Sequence, residues 1–216
     1  MSIEYFEALK NSRDYDQQLH LKLRVLKTFE SLIQTFYNKK MQKDDRFLDL
    51  GSSDGALVEV AKQRGYKAVG LDIDSCNFET DKIRLENQSC DIISAISLIE
   101  HMYSPYNLIN EVKRLLKKNG FFIIVTPNWS ENIKVFFDDP THIHPYTKTS
   151  LRKLLEGAKF KNIRIVPWLV CKPAWMWKVP FSFTLAKILP FRGDSSKIIP
   201  KFLKGKSKTL LAICTK

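Results

Sequence analysis

The stretch Arg46-Phe47-Leu48-Asp49-Leu50-Gly51-Ser52-Ser53-Asp54-Gly55 joins a short apolar run to a turn flanked by two glycines. The run reads as a buried strand that stops at Gly51, and Ala56 to Arg64 reads as a helix that stops at Gly65. A glycine-flanked turn between a strand and a helix lets main chain approach a ligand closely and turns helix-end N–H groups toward it. The same turn also occurs as plain packing, so it does not by itself select a ligand.

Working outward, Tyr66 to Asp72 is a second short strand ending in an acid, and Asp91 to Leu98 is a third, followed by Glu100-His101. Ser104 is placed to cap the next helix, with Pro105 in its first turn, Leu108, Val112 and Leu115 on one face, and Gly120 after its end. Phe121 to Thr126 is strand-like and stops at Pro127. Thr147 to Ala158 has the helical period, Asn162 to Val170 reads as a strand, and Leu210 to Cys214 as the last one. Upstream, Leu19, Leu23, Leu26, Ile33 and Phe36 predict an amphipathic helix before the polar break at 38–45. Alternating strands and helices predict a doubly wound, largely parallel α/β sheet. Ligands gather at the carboxyl ends of such strands, so Gly51, Asp72, Glu100, His101 and Pro127-Asn128 should meet at one crevice.

Composition sets bounds on this reading. An apolar share of 44% with 27% charged residues in 216 residues suits one domain with a sizeable core. The expected division is a helical cover over 1–45, a cofactor-binding core over 46–170, an insertion over 171–209 and a last strand over 210–216. A net charge of +12 favours anionic partners. Cys76, Cys90, Cys171 and Cys214 are scattered, which argues against a zinc site or a disulfide framework. No basic region followed by an apolar one opens the chain, and no run reaches the ~20 apolar residues that span a bilayer. A cytoplasmic location is expected, extending to the inner face of the membrane.

Asp72 ends its strand roughly 20 residues after the glycine turn, where a carboxylate can accept both hydroxyls of a ribose. At this point the sequence resembles the class I S-adenosylmethionine-dependent methyltransferases, over about 47–166. The resemblance rests on Leu48-Asp49-Leu50-Gly51-Ser52-Ser53-Asp54-Gly55, Val69-Gly70-Leu71-Asp72, Cys90-Asp91-Ile92-Ile93 through Ile99-Glu100-His101, and Gly120 through Thr126-Pro127-Asn128. It implies a Rossmann-like, seven-stranded sheet and S-adenosylmethionine as cofactor. It implies Asp49 and Gly51 at the methionine end, Asp72 with Ile73 at the ribose, Asp81 at the adenine amine, and Ser52, Ser53, Gly55, Ser97 and Leu98 around the cofactor. Two departures stand out: Ser53 takes the place of a frequent mid-turn glycine, and only 18 residues separate Asp72 from Asp91, so that layer must be abbreviated.

For the reaction itself, His101 reads either as a base for a hydroxyl proton or, with Glu100, as a helix cap that shapes the pocket. Some quinone-pathway and small-RNA methyltransferases that this segment resembles hold a metal with Glu-x-x-Glu-His here. Ser97 replaces the first of those acids, so no metal is expected. Asp138-Asp139-Pro140-Thr141-His142-Ile143-His144-Pro145-Tyr146 reads as a lid over the acceptor side, with His142 and His144 also spaced to share a metal. It resembles an Asp-x-x-His-x-x-x-Tyr/Phe segment of sugar-directed methyltransferases, which implies that His142 positions the acceptor.

From Pro167 to Lys208 nine basic residues stand against one acid, Asp194, interleaved with aromatic residues and with prolines that forbid one long helix. Such a segment suits an anionic membrane surface through 171–208, a packed cover, or less readily single-stranded nucleic acid. The expected reaction is O-methylation of a sugar hydroxyl on a glycan or its lipid-linked precursor. A quinone-type phenol or RNA is an alternative acceptor, and a cofactor-binding scaffold without catalysis an alternative function.

Overall fold

In the computed structural model the described residues are 14–168 and 204–216, with 175–176, 179, 188 and 191–192 between them. Helix α1, Tyr15–Tyr37, begins where the Asp14 carboxylate accepts the amides of Asp16 and Gln17, and ends at Asn38 in the left-handed conformation. It buries Val25, Leu26, Phe29, Leu32 and Ile33, with Leu19, Leu23 and Phe36 packed at its margin, so the expected stripe faces the core.

The elements that follow are β1 (Arg46–Leu50), α2 (Ala56–Gln63), β2 (Lys67–Leu71), β3 (Cys90–Ile96), α3 (Tyr106–Leu115), β4 (Leu116–Pro127), the single turn α4 (Trp129–Asn132), α5 (Lys148–Gly157) and β5 (Lys161–Pro167). A short parallel pair, β6 (Phe191–Arg192) and β7 (Lys204–Lys206), stands apart from the main sheet. The chain closes with β8 (Thr209–Thr215). The main sheet has six strands in the order β2-β1-β3-β4-β8-β5. β2, β1, β3 and β4 run parallel, and β8 inserts antiparallel to both β4 and β5.

Both faces of this sheet are apolar, as covering helices on each side require. Phe47, Ile92, Phe121, Ile123, Leu211 and Ile213 pack under α1 and α2. Their neighbours Leu48, Ile93, Phe122, Ile124, Ala212 and Cys214 pack under α3 and α5. The strict alternation along each strand divides the core into these two halves.

Three expectations are corrected. Among the described residues the sheet has six strands rather than seven. Residues 72–89 are too few for a helix and a strand, so β2 is left as the edge. This connection still contributes Cys76, Phe78 and Ile83 to the core beneath α3. Having no ladder partners, its main chain is satisfied by α3 side chains: Arg114 donates to the carbonyls of Ile83 and Leu85, and Glu111 accepts the Ile83 amide. Ser104 does not cap α3, because its amide is directed to Glu79 and Pro105 occupies the cap position without a side-chain bond. Gly120 lies inside β4 rather than after a helix; an added Cβ would sit 3.0 Å from the carbonyl oxygens of Asp91 and Lys117, so this crowded bend needs glycine.

Of the insertion read over 171–209, only the residues named above are described, and most of its basic and aromatic positions lie outside them.

Candidate active site

The turn after β1 is built as its glycines require. Gly51 and Gly55 both have φ +74, in the left-handed region. Ser53 between them has φ +50, which explains why glycine suits this position and marks serine here as a strained choice. The Gly51 and Ser52 amides donate to the Leu71 carbonyl at 2.8 and 3.1 Å, locking the turn against the end of β2. Gly70 makes this possible, since a Cβ there would lie 2.6 Å from Ser52 Cβ and 2.9 Å from a Val58 methyl. Sequence reading used Gly70 only as part of a motif and missed its packing role.

Asp72 reaches the same turn, its Oδ2 accepting the Ser53 amide at 2.7 Å and its Oδ1 the Ile73 amide at 2.8 Å. A carboxylate has about four acceptor positions, so lone pairs remain for a diol. Asp49 is buried on β1 and accepts the Ser94 hydroxyl at 2.6 Å. Burial pushes its carboxyl up to about 6, against the pull of the Ser94 hydroxyl and of Lys22 on α1. Leu98 closes over Gly51, within 3.3 Å of where a Cβ would stand. Ser97, at φ +50, donates its amide to the Val125 carbonyl and turns the chain out of β3. Ile73 is largely exposed beside Asp72. Asp81 lies on the 72–89 connection, which Asn107 of α3 holds by the Phe78 and Asp81 carbonyls. Its carboxylate accepts the Asn77 amide and the Thr80 hydroxyl, which shapes its own turn.

The second half of the site forms around the short 3-10 turn Ile99–His101. The Glu100 carbonyl accepts the amides of Ile143 and His144, pinning the 138–146 segment over the strand ends. Glu100 itself is fully buried; Thr126 donates to its Oε2 at 2.9 Å while its Oε1 has no hydrogen-bond partner among the described residues. Burial pushes its carboxyl up to about 7. Thr141 donates its one hydroxyl proton to Asp139 Oδ1 at 2.6 Å. Its oxygen can then only accept from His101 Nδ1, 2.8 Å away, so that nitrogen carries the proton and Nε2 the lone pair. Burial lowers the pKa of the His101 ring, which favours the neutral, basic form near pH 7. Burial works to raise the Asp139 carboxyl, but the Thr141 hydroxyl and amide and the two imidazoles hold it below the ordinary range.

The His142 ring lies beside that of His101, centroids 5.0 Å apart and tilted by 45°, with its Nδ1 on the Phe136 carbonyl and its Nε2 3.9 Å from Asp139 Oδ2. His144 turns away to stack on Tyr146. The metal pairing considered for His142 with His144 is therefore not formed. Glu100, His101 and His142 instead bring one ligand atom each within 4.8 Å of one another, a set able to hold a metal ion. Glu100 lies at the crevice as expected, whereas Thr141 and Asp139 were read only as part of a lid; the legible signal for them was the Asp-x-Thr-His spacing at 139–142.

A family model described as a methyltransferase domain matches residues 15–165. The chain belongs to the S-adenosylmethionine-dependent methyltransferases. It is 27% identical over 137 residues to a ubiquinone biosynthesis O-methyltransferase of Pelagibacter ubique, covering 54% of this chain and 56% of that relative, so the match spans little more than half of the relative's length. In fold it is similar to a methyltransferase of Archaeoglobus fulgidus, with a TM-score of 0.56 at 18% identity over 88% of this chain and 94% of that one. A phosphoethanolamine N-methyltransferase of Haemonchus contortus, solved with S-adenosylmethionine, aligns with a TM-score of 0.57 at 15% identity over 86% of this chain and 51% of its own.

The residues present fit this cofactor. A turn free of Cβ atoms at Gly51 and Gly55, carboxylates at Asp49 and Asp72, and an unpartnered buried oxygen on Asp54 suit a cationic nucleoside. Asp72→Ala is expected to weaken S-adenosylhomocysteine binding about 100-fold, from loss of two charge-assisted bonds. Asp74→Ala, on the exposed neighbour, should bind as the unaltered protein does. Calorimetry that finds Asp72→Ala unchanged refutes the ribose assignment.

Proposed function

We propose that this chain O-methylates a hydroxyl group, that of a sugar on a glycan or lipid-linked glycan precursor, with His101 as the base. The observation that carries the reading is the Asp139–Thr141–His101 chain, which fixes the imidazole with its proton on Nδ1 and its lone pair on Nε2. S-adenosylmethionine supplies a methyl group on a cationic sulfonium. Asp49, Asp72 and the Gly51 turn hold and orient it, and His101 takes the acceptor proton. The half-buried polar side chains His101 and His142, with Thr141 and Asp139 behind them, suit an acceptor with several hydroxyls. Asp81 is retained in this reading as the partner of the adenine amine.

A second reading, a quinone-type phenol with a divalent metal on Glu100, His101 and His142, is favoured by the convergence of those three side chains and by the ubiquinone-pathway relative. Labelled methyl donor offered to lipid-linked sugars, to phenolic quinone precursors and to RNA distinguishes the acceptors. The expected product is an alkali-stable methyl ether on the sugar fraction, formed equally well after chelation.

His101→Ala should lower kcat about 100-fold, the scale of a general base, with cofactor affinity unchanged. Thr141→Val, which keeps the shape but removes the fixed acceptor, should give a smaller fall in kcat and a shifted pH profile. Equal losses of binding and turnover would instead give His101 a structural role.

A further inference from the structure

The segment between β5 and β8 leaves and re-enters the sheet at the site's own edge. Pro127 pairs with Thr209 and Pro167 with Leu210, so the carboxyl ends of β4 and β5 and the start of β8 lie together. Its two ends are tied to each other, as the Trp168 amide donates to the Thr209 carbonyl at 2.8 Å and the Ser207 hydroxyl donates to the Trp168 carbonyl. The return end is also bonded to α4: the Asn128 amide and the Asn132 side chain both donate to the Lys208 carbonyl.

The chain just beyond α4 alternates in a telling way. Phe136 is buried against the His142 ring, with centroids 4.6 Å apart, while Ile133, Val135 and Phe137 around it are 61%, 43% and 58% exposed. One stretch therefore touches His142 on its inner side and offers apolar side chains outward. Within the attached segment, the described Trp175 and Ile188 are likewise 64% and 74% exposed. The sequence of that segment carries nine basic residues against one acid.

We infer that this edge docks on an anionic lipid bilayer, with the apolar side chains 133, 135 and 137 entering the headgroup region beside the acceptor pocket. Exposed apolar groups on an edge from which a strongly basic segment departs match such a surface in both polarity and sign. Two of the three, Ile133 and Val135, are aliphatic and offer no ring to stack on nucleic-acid bases, which favours lipid over a single strand. The inference deepens the reading above, from which it takes the acceptor side, and it lets an amphiphilic acceptor enter the pocket from the bilayer.

The test is flotation of the full chain with vesicles of phosphatidylcholine, with and without phosphatidylglycerol. Binding should require phosphatidylglycerol and weaken with salt. The triple variant Ile133→Ser, Val135→Ser, Phe137→Ser should partition at least about tenfold less. Its S-adenosylhomocysteine affinity, measured by calorimetry, should be unchanged, which shows that the variant is folded. Absence of flotation at low salt overturns the inference, as does a triple variant that floats like the unaltered protein. Self-association lost in the triple variant, without vesicle binding, assigns the surface to a second copy of the chain instead. Tight binding of a short RNA that the triple variant retains, without flotation, assigns the charge to nucleic acid. Vesicle binding without methyl ether formation on sugars would leave this inference standing and remove the acceptor reading alone.

Discussion

Glu100→Gln is expected to make the folded protein more stable at pH 8 by roughly 3 kcal/mol while changing it little near pH 4. Burial raises the Glu100 carboxyl from its ordinary 4.5 to about 7 in the folded chain. A raised carboxyl binds its proton more tightly when folded than when unfolded. Its contribution is therefore complete below the unfolded value and is lost as pH rises through about 7. Above that pH the fold holds a buried carboxylate whose Oε1 has no hydrogen-bond partner among the described residues, and the amide of Gln removes the charge while keeping an oxygen for the Thr126 hydroxyl. Urea unfolding with a chelator present, at pH 5 and pH 8, measures the difference. Parallel pH profiles for the two proteins would show that Glu100 titrates alike in the folded and unfolded chain and that burial does not raise it. Asp49, pushed up to about 6, adds a dependence of the same sign, so the Gln variant should still lose some stability between pH 4 and 7. A buried carboxyl that destabilises the fold is typical of a position kept for chemistry rather than for packing.

Gly70→Ala should have the other large effect, because its new methyl group has nowhere to go. The Cβ would meet Ser52 Cβ at 2.6 Å, Ser52 Oγ at 2.7 Å and a Val58 methyl at 2.9 Å. The neighbours belong to the cofactor turn and to the first turn of α2, and overpacking of this kind costs about 1–3 kcal/mol. The strain falls on main chain that must approach the cofactor, so affinity for S-adenosylhomocysteine should drop along with stability. Adding Ser52→Gly removes two of the three close atoms and should restore part of both losses. A double variant no better than Gly70→Ala alone would place the clash elsewhere.

Unbroken apolar runs such as Phe47-Leu48, Ile92-Ile93 and Phe121 to Ile124 are enough to announce a sheet covered on both sides. The α1 stripe was equally legible from Leu19 to Phe36. Local boundaries were less so: Ser104 looked like a cap, yet its amide serves Glu79, a residue brought to it only by the folded 72–89 connection. The count of strands was misjudged for a related reason. A short connection was visible in the sequence, but the satisfaction of its backbone by Arg114 and Glu111, which lets it dispense with a strand, depends on α3 packing beside it.

By itself the chain's order of residues determined the strand–glycine turn–helix unit, the acid on the neighbouring strand and hence the methyl donor, because these are local and carried by residues close in sequence. Only tertiary structure decided the second half of the site. His101 and His142 are 41 positions apart by number, and their rings lie 5.0 Å apart. Thr141 sets the proton on His101, and the basic segment leaves the sheet at the carboxyl ends of β4 and β5. Contacts between distant segments depend on how strands align and which faces bury, and no spacing along the chain encodes them.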